Sequence, residues 1–189
     1  LNTAQVKPGN SVAIFGVGGV GLSAVQAAEI SGANPIIAID LTQEKLEFAR
    51  EFGATHTINA NYQDPVGAVR DLSAGGVDFA FDTIGVRITT EQILPATKGG
   101  GPGADNHGGL AILVGIPREP MTLDPDLFVY HQRRYRGSLG AVYPDKDFKT
   151  FLKWNQDGKF PLYKLVTDRY SLDQVNQACE ALERGSIRG

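Results

Sequence analysis

Cysteines and histidines are rare in this chain of 189 residues. Its single cysteine, Cys179, rules out an internal disulfide and any zinc site made of several cysteines, and it suits a reducing compartment. The three histidines, His56, His107 and His131, stand apart from one another and from the cysteine, so no spacing typical of metal ligands occurs. We therefore predict that this chain has no metal site of its own and that it is cytoplasmic.

Long apolar segments and an excess of positive charge are also missing. No apolar run approaches the roughly 20 residues that span a bilayer, so we do not expect a membrane partner. The chain has 18 lysines and arginines against 21 aspartates and glutamates, which is a net charge of −3. Because no basic stripe is present to bind a phosphate backbone, we do not expect a nucleic-acid partner either.

The length and the 42% hydrophobic content predict one compact domain over residues 1–189. The chain starts with Leu1 instead of methionine, and it stops at Arg188 and Gly189 directly after a helical pattern, without a closing strand. We therefore expect this chain to be a piece of a larger protein.

Short apolar runs rich in β-branched residues alternate with segments of helical periodicity along the chain. The predicted strands cover 11–15, 35–40, 55–59, 77–82, 110–114 and 135–142, and the predicted helices cover 20–30, 43–52, 65–72, 90–97, 145–156 and 171–184. Ser171 is the expected N-cap of the last helix, and Cys179 falls on its apolar face, which we expect to be buried. The glycine-rich segment 99–109 is predicted to be an exposed loop. The alternation predicts a doubly wound α/β fold of Rossmann type, with a parallel sheet covered by helices on both faces.

A glycine turn follows the first predicted strand and opens the first predicted helix. Its sequence is Gly16-Val17-Gly18-Gly19-Val20-Gly21. Backbone N–H groups at the start of a helix, where the helix dipole is positive, can bind a pyrophosphate without a metal. Gly16 permits the tight turn, Gly18 lets the phosphate approach the backbone, and Gly21 allows close packing of helix and strand. The turn therefore predicts a dinucleotide site.

An aspartate at the end of the second predicted strand indicates which dinucleotide binds. Asp40 comes nineteen residues after Gly21, where a carboxylate can accept hydrogen bonds from the ribose hydroxyls of the adenosine half. The same carboxylate would repel a 2′-phosphate, so the sequence predicts NAD in preference to NADP. The alternative role for Asp40 is that of a turn or helix-cap residue before Thr42, and one carboxylate can serve both purposes.

Two other enzyme classes fit the sequence less well. Methyltransferases use a similar glycine turn, but they usually carry an acid on the first strand, which is absent from residues 11–15. Short-chain dehydrogenases need a tyrosine four residues before a lysine, and none of the six tyrosines has this neighbour.

Further segments in the same order along the chain extend the pattern beyond the glycine turn. They are Lys45, Phe52-Gly-Ala-Thr55, Asp82-Thr-Ile-Gly85, Val114-Gly-Ile-Pro117, Arg136-Gly-Ser-Leu-Gly140 and Gly185-Ser-Ile-Arg188. Together with the glycine turn and Asp40, they make the chain resemble the cofactor-binding domain of zinc-dependent medium-chain alcohol dehydrogenases. The resemblance covers nearly the whole chain.

The resemblance implies a set of residues that contact NAD. Gly19 and Val20 would contact the pyrophosphate, and Asp40 and Lys45 would hold the adenosine ribose. Thr83 and Ile84 would border the adenine. The nicotinamide would be lined by Val114, Gly115, Ile116, Ser138, Leu139 and Gly140. Arg188 would pair with the pyrophosphate, whereas the arginine that many relatives carry after Gly85 is replaced by Val86.

The resemblance also implies what the chain cannot do by itself. Members of this family bind their catalytic zinc in a preceding GroES-like domain, which is absent from this chain together with a final C-terminal strand. The chain therefore has no predicted catalytic residue and is expected to be inactive alone. In the full-length protein we expect hydride transfer between an alcohol and NAD⁺, giving an aldehyde or ketone.

Two other functions and an oligomeric state also follow from these patterns. The chain can instead be a module that senses NAD(H) without turnover, or the cofactor domain of a zinc-less reductase that uses NADPH. Because family members commonly pair through edge strands of this domain, we expect a homodimer through residues 136–142.

Overall fold

Residues 2–103, 106–140, 142–185 and 187 are described by the computed structural model. In this part of the chain, six parallel strands form one sheet in the order β3-β2-β1-β4-β5-β6. The strands are β1 Val12–Phe15, β2 Ile36–Asp40, β3 His56–Asn59, β4 Phe79–Asp82, β5 Leu110–Leu113 and β6 Arg134–Gly137. Because the first half of the order runs backwards, β1 and β4 are neighbours at the point where the winding direction reverses.

Helices connect the strands and follow the last one. They are α1 Gly19–Ile30, α2 Gln43–Arg50, α3 Pro65–Leu72, α4 Arg87–Ala96, α5 Asp126–Val129, α6 Pro144–Gln156 and α7 Val175–Glu183. Two short 3-10 segments, Leu162–Leu165 and Leu172–Gln174, lie between α6 and α7. The predicted Rossmann-type α/β architecture is confirmed.

The alternation of side chains along β1 divides the core into two layers. Val12 and Ile14 point to one face of the sheet, where they pack with Leu22 of α1 and Leu46 of α2. Ala13 and Phe15 occupy the other layer, with Val69 of α3 and with Ile93 and Leu94 of α4. All four residues of β1 are buried, which explains why the strand is a continuous apolar run.

Two predictions at the C-terminal end of the chain are wrong in part. The last strand ends at Gly137 instead of residue 142, and Gly140 has φ +63°, a backbone conformation that does not continue a strand. The apolar face of α7 is not buried in the described structure, because Cys179 is exposed and Leu182 is 65% exposed. Periodicity shows that a helix has an apolar face, but it does not show which surface covers that face.

The other boundaries agree with the sequence to within a few residues. Ser171 takes its N-cap position, and its backbone N–H donates to the side chain of Gln174 at 3.1 Å. The turn that it opens is a 3-10 segment, which leads directly into α7. The described residues of the glycine-rich segment 99–109 contain no helix or strand, although Gly108 and Gly109 are buried next to β5.

Candidate functional site

Most of the predicted cofactor residues that the structure describes lie at the edge of the sheet where the parallel strands end, which we call the carboxyl edge. The glycine turn follows β1, Asp40 ends β2, and Thr83 follows β4. The segments 114–116 and 138–140 follow β5 and β6. Ligands of doubly wound sheets bind at this edge, beside the point where the strand order reverses.

The glycine turn is tight because the backbones of its first and last glycines, Gly16 and Gly21, lie very close to each other. Gly16 has φ +88°, which L-residues with side chains rarely adopt. A Cβ atom on Gly21 would overlap the carbonyl oxygen of Gly16. The helix α1 can therefore start directly behind the strand only because this position has no side chain.

Gly18 differs from its neighbours because a Cβ atom there would meet nothing within 4 Å. It is the N-cap of α1, and no described side chain caps the helix at this position. The first turn of α1 contains no acidic residue that would compete for its N–H groups. An anion can therefore approach the start of α1 through the space next to Gly18.

The carboxylate of Asp40 is hydrogen-bonded to the glycine turn as well as to its own loop. Its Oδ2 accepts from the backbone N–H of Val17 at 3.0 Å. Its Oδ1 accepts from the N–H groups of Leu41 and Thr42, at 2.8 and 3.0 Å. Asp40 thus holds the turn between β2 and α2 and ties it to the glycine turn. Its side chain is only partly buried, and each carboxylate oxygen can accept further bonds.

Lys45 lies in the first half of α2 and is partly buried. A Cβ atom on Gly185, in the turn after α7, would be 3.9 Å from the Nζ atom of Lys45. The end of the described chain therefore passes beside the ammonium group of Lys45. Arg188, which the resemblance assigns to the pyrophosphate, lies outside the described residues.

Thr83 and Ile84 follow β4 and contact the glycine turn directly. The hydroxyl of Thr83 donates to the carbonyl oxygen of Gly16 at 2.9 Å. The Ile84 side chain lies so close to Gly16 that a Cβ atom there would clash with it. Thr83 therefore has a contact that its sequence position alone did not indicate.

The loop after β5 crosses the loop after β4 at two glycines. A Cβ atom on Gly115 would overlap the backbone nitrogen of Gly85, and a Cβ atom on Gly85 would overlap the carbonyl oxygen of Ile116. Val114 is partly buried, and Ile116 is 74% exposed. The two loops thus form one continuous surface at the carboxyl edge.

The segment 138–140 follows β6 on the far side of the same edge. The N–H of Ser138 donates to the carbonyl oxygen of Leu113 at 2.8 Å. The hydroxyls of Ser138 and Thr3 form a hydrogen bond of 2.8 Å. Leu139 is 87% exposed, and Gly140 is exposed too.

Several apolar side chains at the carboxyl edge are exposed. Val20 is 57% exposed and Ile84 is 45% exposed, in addition to the more exposed Ile116 and Leu139. Nearby Leu41, which sequence reasoning did not single out, is 60% exposed. Apolar groups that surround a few polar ones are typical of a surface that contacts a cofactor.

A buried carboxylate lies behind this surface. Asp82 is the last residue of β4 and is 0% exposed. Burial raises the pKa of its carboxyl group above the ordinary value, although hydrogen bonds from Thr89, Ile84 and Gly85 act in the opposite direction. Sequence reasoning used Asp82 only as part of a motif. An acid at the end of an otherwise apolar buried strand was the available signal.

The described residues contain no group of three or more histidine, cysteine, aspartate or glutamate side chains that could hold a metal ion. The described part of the chain therefore contains no donor set for a catalytic zinc. None of the described helices is long and apolar enough to cross a membrane.

A family model described as zinc-binding dehydrogenase matches residues 19–157. Among solved structures, an alcohol dehydrogenase zinc-binding domain protein from Burkholderia ambifaria is 33% identical, with a TM-score of 0.89 over 99% of this chain and 49% of its own. Benzyl alcohol dehydrogenase from Acinetobacter calcoaceticus is also 33% identical, with a TM-score of 0.87 over 97% of this chain and 49% of its own.

A third solved structure is a putative zinc-binding dehydrogenase from Sinorhizobium meliloti 1021 bound to NADP. It is 27% identical to this chain, with a TM-score of 0.75 over 84% of this chain and 45% of its own. This chain spans about half the length of the solved proteins that it matches. The fold, the glycine turn at the carboxyl edge and the match over residues 19–157 lead to one conclusion. The chain belongs to the zinc-binding dehydrogenase family.

Proposed function

We propose that this chain binds NAD(H) at the carboxyl edge of its sheet. The observation that carries the proposal is the open space beside Gly18, at the uncapped start of α1. A pyrophosphate in this space would accept hydrogen bonds from the N–H groups of Gly18, Gly19 and Val20. Two negative charges of the pyrophosphate are favoured there by the helix dipole.

The adenosine half extends from the pyrophosphate toward the end of β2. The ribose hydroxyls donate to the carboxylate of Asp40, which is already held in place by Val17, Leu41 and Thr42. Lys45 supports the ribose from α2. The adenine rests on the exposed side chain of Ile84 and beside Thr83.

The nicotinamide half extends toward the ends of β5 and β6. Val114, Gly115 and Ile116 line one side of the ring, and the segment 138–140 lines the other. Main-chain groups near Ser138 and Gly140 orient the carboxamide. When NAD⁺ is bound, its nicotinamide supplies the position that accepts a hydride. The residues of this chain bind and orient the cofactor, and none of them is proposed as catalytic.

For the full-length protein we propose an alcohol dehydrogenase of the zinc type, which interconverts an alcohol with an aldehyde or ketone. In this proposal the zinc ligands and the substrate pocket come from sequence outside this chain. The chain alone should therefore bind NADH without oxidising any alcohol. Arg188 is proposed to pair with the pyrophosphate. We also propose that the protein is a homodimer. A cytoplasmic location is proposed as well, and cell fractionation would test it.

Calorimetric titration of this chain with NADH and NADPH tests the cofactor proposal. We expect NADH to bind more tightly, because the carboxylate of Asp40 repels a 2′-phosphate and leaves it unpaired. In Asp40→Asn the preference for NADH should shrink by about tenfold or more, which corresponds to roughly 1.4 kcal/mol. Asp71→Asn is the matched control, because Asp71 is an exposed acid near the end of α3 and the change in net charge is the same.

The titration also decides between this proposal and its rivals. Tighter binding of NADPH by the unaltered chain would contradict the role of Asp40 and favour an enzyme that uses NADPH, such as a zinc-less reductase. Binding of neither nucleotide would overturn the proposed site. A full-length protein that binds NADH and zinc but oxidises no primary, secondary or aromatic alcohol would instead be a sensor of NAD(H).

A further inference from the structure

The buried carboxylate of Asp82 accepts three hydrogen bonds, all from the loop and helix that follow β4. Its Oδ2 accepts from the N–H of Gly85 at 2.9 Å. Its Oδ1 accepts from the hydroxyl of Thr89 at 2.7 Å and from the N–H of Ile84 at 3.3 Å. The side chain of Asp82 thus fixes the backbone on which Ile84 is presented to the carboxyl edge, and it fixes the first turn of α4 as well.

The main chain of the same residue holds the neighbouring loop. The carbonyl oxygen of Asp82 accepts from the N–H groups of Val114 and Gly115, at 2.9 and 3.0 Å. These two loops then cross at Gly85 and Gly115 with no room for a side chain. A shift of one loop therefore displaces the other, and both depend on Asp82.

The hydrogen bonds of Asp82 come without a compensating positive charge. None of the ion pairs among the described residues involves it. A fully buried carboxylate without a cationic partner is costly, and an apolar residue would suit the end of a buried strand better if only packing mattered. The acid at this position is explained by the two N–H groups and the hydroxyl that converge on its carboxylate.

We infer that Asp82 is a positioning residue that sets the loop after β4 and the loop after β5 in register with each other. Resting on the proposed function, this inference makes one buried side chain responsible for the surfaces that meet both the adenine and the nicotinamide. Asp82 itself is 0% exposed, so it acts through Ile84, Gly85 and Gly115 and does not touch the cofactor.

The test compares Asp82, the last residue of β4, with Asp78, which directly precedes that strand. Asp82→Asn keeps the size of the side chain but replaces one acceptor oxygen with an NH2 donor, so the N–H of either Ile84 or Gly85 loses its partner, depending on how the amide is oriented. We expect its Kd for NADH to rise by about tenfold or more, because a buried donor without a partner favours a displaced loop. Asp78→Asn, at the amino end of β4, should lower stability and leave the Kd for NADH unchanged.

Thr89 provides a second variant that leaves the carboxylate intact. Thr89→Val removes one donor to Asp82, and we expect the Kd for NADH to rise by roughly threefold to tenfold. Thr89→Ser keeps the hydroxyl and should restore the original Kd. A role confined to stability would lower the unfolding temperature in Thr89→Val without changing the Kd of the folded protein.

Fragments of the cofactor separate the two loops. ADP-ribose probes the adenine side and nicotinamide mononucleotide probes the other, and Asp82→Asn should weaken both. Weakening of only one fragment would overturn the idea that Asp82 couples the loops. An unchanged Kd for NADH in Asp82→Asn would overturn the inference while the proposed function stands. Failure of the unaltered chain to bind NADH would instead refute the proposed function.

Discussion

At the scale of single residues, the glycine turn contains glycines that serve different purposes. A methyl group on Gly18 would project into open space, whereas a methyl group on Gly21 would overlap the carbonyl oxygen of Gly16. In the proposed function, the space beside Gly18 receives the pyrophosphate, whereas the absence of a side chain at Gly21 allows α1 to pack against β1. Both positions are glycine in the sequence, but replacing Gly18 should have a different effect from replacing Gly21.

Replacing each of these glycines by alanine is therefore a paired test. Gly18→Ala should change the free energy of unfolding by less than about 0.5 kcal/mol. It should nevertheless weaken NADH binding by about tenfold or more, because the methyl group occupies the space proposed for the pyrophosphate. Gly21→Ala should cost about 2 kcal/mol of stability or more, because backbone must move. Urea unfolding measures the free energy of unfolding, and calorimetry measures the affinity for NADH. Unchanged NADH affinity in Gly18→Ala would contradict the proposed position of the pyrophosphate.

A charged network at the opposite end of β4 should make stability depend on pH. Burial by itself would raise the pKa of Asp78, but hydrogen bonds from Lys98 and Ser11 and the charge of Lys98 hold it below the ordinary value. A lowered pKa means that the ionised carboxylate stabilises the fold above the ordinary pKa, and that this contribution is lost as the pH falls through the folded value.

Asp78→Asn measures that contribution. The variant should unfold more easily than the unaltered chain at pH 7, and the difference in unfolding free energy should shrink as the pH falls below about 4. Urea titrations at pH 7, 5 and 3.5 provide the comparison. A difference that stays constant over this range would mean that the charge of Asp78 does not contribute.

At the scale of elements, β6 is one of the two edge strands of the described sheet, and its outer side is free. Only its inner side pairs, with β5. The N–H groups of Arg134 and Ser138 point toward β5, where they donate to the carbonyl oxygens of Gly109 and Leu113. Because successive residues of a strand point their N–H groups to opposite sides, the N–H of Gly137 points outward. Three of the four residues of β6 are exposed. These features support a homodimer through this edge, with a shorter strand than residues 136–142 predicted.

Proline at position 137 tests the proposed dimer. Gly137→Pro removes an outward N–H group and leaves the pairing with β5 intact, so we expect the dimer to dissociate into monomers. Gly137→Ala is the control, because a Cβ atom there meets nothing within 4 Å. Light scattering across a range of concentrations distinguishes the two states. A dimer that survives in Gly137→Pro would place the interface elsewhere.

At the scale of the whole molecule, binding and stability are linked. A ligand that binds only the folded chain adds about 2.7 kcal/mol of stability when its free concentration is a hundred times its Kd. For a chain of 189 residues this corresponds to a rise of roughly 5–10 °C in Tm. We expect this rise with NADH, a smaller one with NADPH, and a rise about half as large or smaller with NADH in Gly18→Ala, because the Kd of that variant is expected to be about tenfold higher or more. Thermal scans at increasing nucleotide concentration provide the measurement, and equal shifts with both nucleotides would argue against the preference for NAD.

Local patterns were sufficient to predict most elements of the fold. Three of these elements follow one another directly: the run 11–15, the glycine turn and the helix after it. Their geometry therefore depends mainly on residues close in the sequence. The match of residues 19–157 to the zinc-binding dehydrogenase family agrees with the resemblance that the ordered motifs indicated. The bond between Asp40 and Val17 spans 23 residues, and both groups lie at the ends of strands that the sequence predicted.

Contacts between distant segments were decided only by the tertiary structure. The hydroxyl of Thr83 reaches Gly16 across 67 residues, and Gly85 meets Gly115 because β4 and β5 are adjacent in the sheet. No periodicity along the chain encodes that crossing, since it arises from strand order and loop shape. The role of Asp82, the end of β6 and the exposed face of α7 depend in the same way on what each element packs against. The sequence by itself therefore determined the fold class, the family and the glycine turn. The tertiary structure decided how the loops at the carboxyl edge support one another, because that support passes through backbone contacts between segments far apart in the chain.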